Sequence, residues 1–114
     1  MKSFKIALAQ FSPHTGNIEA NAQKMLEQVN EAKKQKADLI IFPELSTVGY
    51  PAEDLLLRPS LAKRTQTAFE QLSQVKDIVM VFGFVNQTED GHRYNAAAVM
   101  KDGKVGFVDA NNKL

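Results

Sequence analysis

The 114 residues contain no cysteine. That excludes disulfides, thiolate metal sites and a cysteine nucleophile within this stretch. Only two histidines occur, His14 and His92, far apart and both in turn-like surroundings, so a histidine metal site is not expected. No apolar run approaches the roughly 20 residues that span a bilayer. Neither charge sign dominates: the formal net charge is +1, which removes any electrostatic case for nucleic acid or an anionic membrane. The opening Met1-Lys2-Ser3-Phe4 enters a strand pattern at once. It lacks the apolar core and small-residue cleavage site of a secretion signal, so a cytoplasmic location is expected. What remains is a length suited to one small soluble domain.

The pattern along the chain alternates strand and helix. Phe4 to Gln10 reads as a first strand. Ser12 to Asn17 carries turn residues, and Asn17 is placed to cap a helix. Apolar residues then recur at Ile18, Ala22, Met25, Leu26, Val29 and Ala32, the spacing of an amphipathic helix. Leu39 to Phe42 reads as a second strand. A long connection from Ser46 to Pro59 leads to a second helix that begins near Ser60 and uses Leu61, Phe69 and Leu72 as its apolar side. Ile78 to Val85 is a third strand, nearly all apolar, and Arg93 to Met100 a fourth. Lys101-Asp102-Gly103-Lys104 is a hairpin signal that returns Val105 to Val108 as a fifth. Crossover helices imply parallel or mixed pairing of the first three strands, and hairpins add antiparallel pairing. The fold class is α/β, with a mixed sheet and two helices on one face. That leaves the other face of an apolar sheet bare, so the expectation is association through it or membership of a larger domain.

The most informative stretch is Asp38-Leu39-Ile40-Ile41-Phe42-Pro43-Glu44-Leu45. A continuous apolar run reads as a strand buried on both faces. Pro43 cannot donate to a ladder, so regular pairing ends there. Glu44 is then delivered to the carboxyl end of a core strand, where α/β folds keep their chemistry. Against an apolar wall its charged form would be disfavoured, which suits a general base. Most glutamates after a strand are solvated loop charges, so Glu44 alone decides little.

The residues that follow add to it. Phe42 to Pro59 carries every fixed position of F-P-E-L-x-x-x-G-Y-P-x-E-D-L-L-L-R-P. Further matches are Ile6 to Gln10, Gly16-Asn17 with Asn21, Gly83, and Tyr94-Asn95-Ala96-Ala97. In this the chain resembles the glutaminase domain of glutamine-dependent NAD synthetases, within the nitrilase or carbon-nitrogen hydrolase superfamily. The resemblance covers residues 4 to about 105. It implies that residues 1–114 are the N-terminal portion of an α-β-β-α sandwich whose catalytic set is Glu, Lys and Cys. It also implies glutamine as substrate and ammonia passed to a separate synthetase domain, where ATP and Mg serve the conversion of deamido-NAD to NAD. No cofactor is expected within these residues, and a homo-oligomer is.

Carried over by position, Glu44 matches the general base. Tyr50 lies where its loop can approach substrate, or serves as a packing aromatic under that loop. Glu53, Asp54 and Arg58 suit loop-fixing pairs or subunit contacts, and Asn95 a hydrogen bond inside the sheet near the site. The family lysine is expected just after the fifth strand, in K-x-x-L-P. If Leu114 is the motif leucine, that position holds Asn111; if the motif runs on, Lys113 occupies it as the oxyanion stabiliser. The cysteine is expected beyond these residues, so this stretch alone should not hydrolyse glutamine. Two other readings stand beside this one. Another amidase or carbamoylase of the superfamily should lack Leu55 to Pro59, and a non-catalytic assembly module would use the bare sheet face.

Overall fold

The computed structural model describes residues 3–14, 17–44, 46–47 and 60–113, and at 107 and 109–113 the backbone alone. In chain order the elements are β1 (Ile6–Leu8), α1 (Ile18–Lys34), β2 (Leu39–Ile41), α2 (Leu61–Leu72), β3 (Val79–Gln87), β4 (Arg93–Lys101) and β5 (Lys104–Lys113). The strands form one sheet in sequential order. β1, β2 and β3 pair in parallel, with Ile6 opposite Leu39 and Leu39 opposite Val79. β3, β4 and β5 pair antiparallel, with Phe82 opposite Ala98 and Ala98 opposite Val108.

Helix α1 follows its periodicity. Ile18, Ala22, Met25, Val29 and Ala32 are buried along one stripe, joined by Asn21. The Asn17 side chain accepts from the Ala20 amide at 3.1 Å, as a capping asparagine should. Glu19 in the first turn and Lys33 and Lys34 in the last complement the helix dipole. Helix α2 buries Leu61, Thr65, Ala68 and Leu72. Its Phe69 is half-buried and stands edge-on to Phe82 and Phe84, at centroid distances of 5.1 and 4.8 Å.

Both helices cover the same sheet face. Met25, Val29 and Ala32 of α1 and Leu72 of α2 join Ile40, Met80, Phe82, Phe84, Ala96, Ala98 and Met100 in one core. Each large side chain in it contributes about 1.5–3 kcal/mol by leaving water. The alternate residues face the other way. Leu39, Ile41, Val79, Val81 and Val99 are half-buried there, and Ile6 and Leu8 are 51% and 71% exposed. Among the described residues, the apolar face away from α1 and α2 expected from the sequence is present.

The β4–β5 turn also follows expectation. Asp102 and Gly103 both have positive φ, 50° and 82°, as a tight Asp-Gly hairpin requires. A Cβ on Gly103 would stand 2.9 Å from the Ser73 carbonyl oxygen, so glycine is needed for space as well as conformation. Two strands differ by more than one residue in length from the sequence reading. β1 is only Ile6–Leu8. β5 runs to Lys113 rather than stopping near Val108. Its polar end, Asn111 to Lys113, has little strand propensity of its own, and the ladder offered by β4 draws it out.

The two helices are tied by one ion pair. Arg64 donates from Nε to Glu19 Oε1 at 2.9 Å and from Nη2 to Oε2 at 2.7 Å. The guanidinium holds the Glu19 carboxyl down at about 2, chiefly through these hydrogen bonds. A carboxyl depressed in the folded state adds stability above its ordinary value of 4.5 and loses it as pH falls toward about 2. Glu19 is half exposed, so solvent screening limits the effect to at most about 1 kcal/mol. Urea unfolding of Glu19→Gln should therefore show a small loss at pH 7 that vanishes near pH 2.

Candidate functional site

Regular pairing of β2 ends at Ile41, and the chain beyond it is still held to β3. The Phe42 amide donates to the Val81 carbonyl at 2.8 Å. Pro43 has no amide to continue the ladder. Past Glu44 the chain returns to β3 at Gly83. The Thr47 amide and hydroxyl donate to the Gly83 carbonyl at 3.2 and 3.0 Å, and the Gly83 amide donates to Ser46 Oγ at 3.2 Å. Glu44 thus stands on a short arch with both feet on one strand.

A buried amide fixes the far foot. Asn21 of α1 is fully buried. Its Nδ2 donates to the Thr47 carbonyl at 3.0 Å and to the His14 carbonyl at 2.8 Å. Its Oδ1 accepts from the His14 amide at 2.7 Å. One side chain therefore joins the β1–α1 loop, helix α1 and the Glu44 arch.

Across β3, Asn95 of β4 donates from Nδ2 to Glu44 Oε1. Asn95 alternates out of phase with Ala96, Ala98 and Met100, which join the core beneath α1 and α2. Arg93, two residues earlier on that strand, has its Nε buried with no hydrogen-bond partner among the described residues. Glu44 is exposed, and this corrects the expectation of a carboxylate against an apolar wall. Its hydrogen-bond partner among the described residues is a polar amide, that of Asn95.

The strand register bears on the two lysine alternatives. Asn112 lies opposite Asn95 and Lys113 opposite Tyr94, while Ala110 lies opposite Ala96. Asn111 is the extra residue of a β-bulge. Lys113 is thus one position along from the Asn95–Asn112 pair, about 3.3 Å in strand rise. Bulges of this kind are common beside active sites. Tyr50, Glu53, Asp54 and Arg58 lie outside the described residues. Among the described residues no group of three His, Cys, Asp or Glu could hold a metal ion. No helix among them is long and apolar enough to cross a membrane.

Chemically, the arrangement offers a carboxylate that can take up a proton, an amide that orients it, and a strand end one residue away that carries a lysine. The strand-end glutamate was evident from sequence. Asn95 was expected to hydrogen-bond inside the sheet near the site, though not to Glu44 itself; the part played by Asn21 was not evident, although it belongs to the matched positions.

Comparison with known proteins agrees with this geometry. The chain is 81% identical over 105 residues to a glutamine-dependent NAD(+) synthetase of Acinetobacter baylyi, covering 92% of this chain and 19% of that protein. It therefore spans about a fifth of that relative's length. The structure of the glutamine-dependent NAD+ synthetase of Acinetobacter baumannii, in complex with ADP, superposes with a TM-score of 0.93 at 77% identity, over 97% of this chain and 21% of that one. A nitrilase-superfamily amidase of Nesterenkonia shares the fold, with a TM-score of 0.84 at 21% identity, over 95% of this chain and 42% of that one. The model of the carbon-nitrogen hydrolase family matches residues 5–114. Since that match takes in the Glu44 arch and all five strands, the chain belongs to the carbon-nitrogen hydrolase family.

Proposed function

We propose that residues 1–114 are the N-terminal portion of the glutaminase domain of a glutamine-dependent NAD synthetase, with Glu44 as its general base. The observation that carries this reading is the 81% identity to the A. baylyi synthetase. The tethered arch that holds Glu44 at a strand end supports the role given to that residue.

In this reading Glu44 takes the proton of a cysteine thiol supplied outside these residues. The thiolate attacks the side-chain amide carbon of glutamine. Lys113 stabilises the oxyanion that develops. Glu44 returns the proton to the departing nitrogen, ammonia leaves, and water hydrolyses the thioester to glutamate. Tyr50 borders the substrate. Ammonia passes to a synthetase domain, where ATP and Mg serve the conversion of deamido-NAD to NAD. The whole protein works in the cytoplasm as a homo-oligomer.

One observation favours a second reading. Ile6 and Leu8 are exposed on an apolar sheet face, a surface suited to association. In the leading reading the remaining strands of the domain cover it. In the second, another copy does, and the chain is a non-catalytic assembly module.

The leading reading is tested in two steps. The 114-residue chain alone, mixed with glutamine, should release no glutamate above the buffer rate. The A. baylyi synthetase carrying this sequence in place of the 105 residues it matches should make NAD from glutamine as well as from ammonia. A hybrid that uses ammonia but not glutamine would count against the reading.

A further inference from the structure

Glu44 has two carboxylate oxygens, and only one can be given to the substrate side. Oε1 accepts the Asn95 amide. Oε2 accepts no hydrogen bond from a described residue. An ionised carboxylate only accepts, so Asn95 must turn its nitrogen toward it. Asn95 itself is paired on both sides, opposite Val85 on β3 and, next to the bulge at Asn111, opposite Asn112 on β5. The loop-borne carboxylate is thus hydrogen-bonded by a strand residue 51 positions away in sequence.

We propose that Asn95 is a positioning residue for amide hydrolysis: it occupies Oε1 and so leaves Oε2 to exchange the proton. The inference rests on Glu44 being the general base. Without the Asn95 amide, the carboxylate can rotate about its last torsion and present either oxygen off line. Misplacement on the scale of 1 Å costs such a step about 10²-fold. Replacing the donor by a second carboxylate is worse, because two acceptors then face each other and repel.

The test uses the full-length hybrid synthetase described above, with Asn95→Ala, Asn95→Asp and Glu44→Gln compared side by side. Asn95→Ala should lower kcat with glutamine about 10²-fold, change KM little, and leave ammonia-dependent turnover intact. Asn95→Asp should be slower still with glutamine. A structural role predicts the opposite order, because aspartate keeps the shape and polarity that alanine removes. Equal or better activity in Asn95→Asp than in Asn95→Ala overturns the proposal, as does full glutamine turnover in both. If Glu44→Gln is inactive with glutamine in that case, the general-base reading survives alone. If Glu44→Gln is fully active, both fall. Ammonia-dependent turnover reports folding of each variant.

Discussion

Glu44→Gln in the hybrid synthetase is expected to lower glutamine-driven NAD formation by about 10²–10⁴-fold, the usual contribution of a general base. Ammonia-driven formation should be unchanged. Glutamine replaces one carboxylate oxygen by an amide nitrogen and leaves the side chain the same length. The arch is fixed by backbone and by Ser46, Thr47 and Asn21, none of which needs the Glu44 charge. The substitution therefore removes proton transfer with little cost to the fold. Steady-state rates with the two nitrogen donors, measured on one preparation, give the comparison.

The second large effect is on stability. Asn21→Leu should destabilise the chain by about 2–4 kcal/mol, because leucine fills a similar volume but satisfies none of three hydrogen bonds. The buried Thr47 carbonyl loses this donor outright. The His14 amide and carbonyl lose theirs at a half-buried position. Urea unfolding measures the loss as a lower midpoint at unchanged slope. The effect should reach function too. Once Thr47 is released from α1, the far foot of the arch rests on Gly83 alone, and glutamine turnover in the hybrid should fall more than ammonia turnover.

These two residues also mark what could be read from sequence. Glu44 was legible because its signal is local: an apolar run, a proline and a carboxylate in succession. The α1 stripe, the Asn17 cap and the Asp102-Gly103 turn were legible for the same reason, and each is found as expected. Asn21 looked like a polar residue on a helix, and nothing nearby says that loops from positions 14 and 47 converge on it. The Asn95 contact spans 51 residues and exists only once the β2, β3 and β4 registers are set. The extension of β5 through two asparagines is likewise imposed by its partner strand against local preference. In α2, Thr65 and Ala68 are buried because α1 and the sheet close over them, and periodicity pointed instead to the larger Phe69. The apolar run before Pro43 suggested an apolar wall beside Glu44, yet the carboxylate is exposed. Ser46 and Thr47 tie the chain past Glu44 back to Gly83 of β3, a contact that local sequence does not announce.

The bare sheet face was anticipated from counting helices against strands. Ile6 and Leu8 now give it an address.

The measurement that bears most directly on the central claim is rapid-quench intact mass of the hybrid synthetase mixed with glutamine. If Glu44 activates the thiol, a glutamyl adduct should accumulate within the first turnover, and in Glu44→Gln it should form at least about 10²-fold more slowly. Adduct formation at the same rate in both proteins would contradict the assignment of Glu44 as the general base.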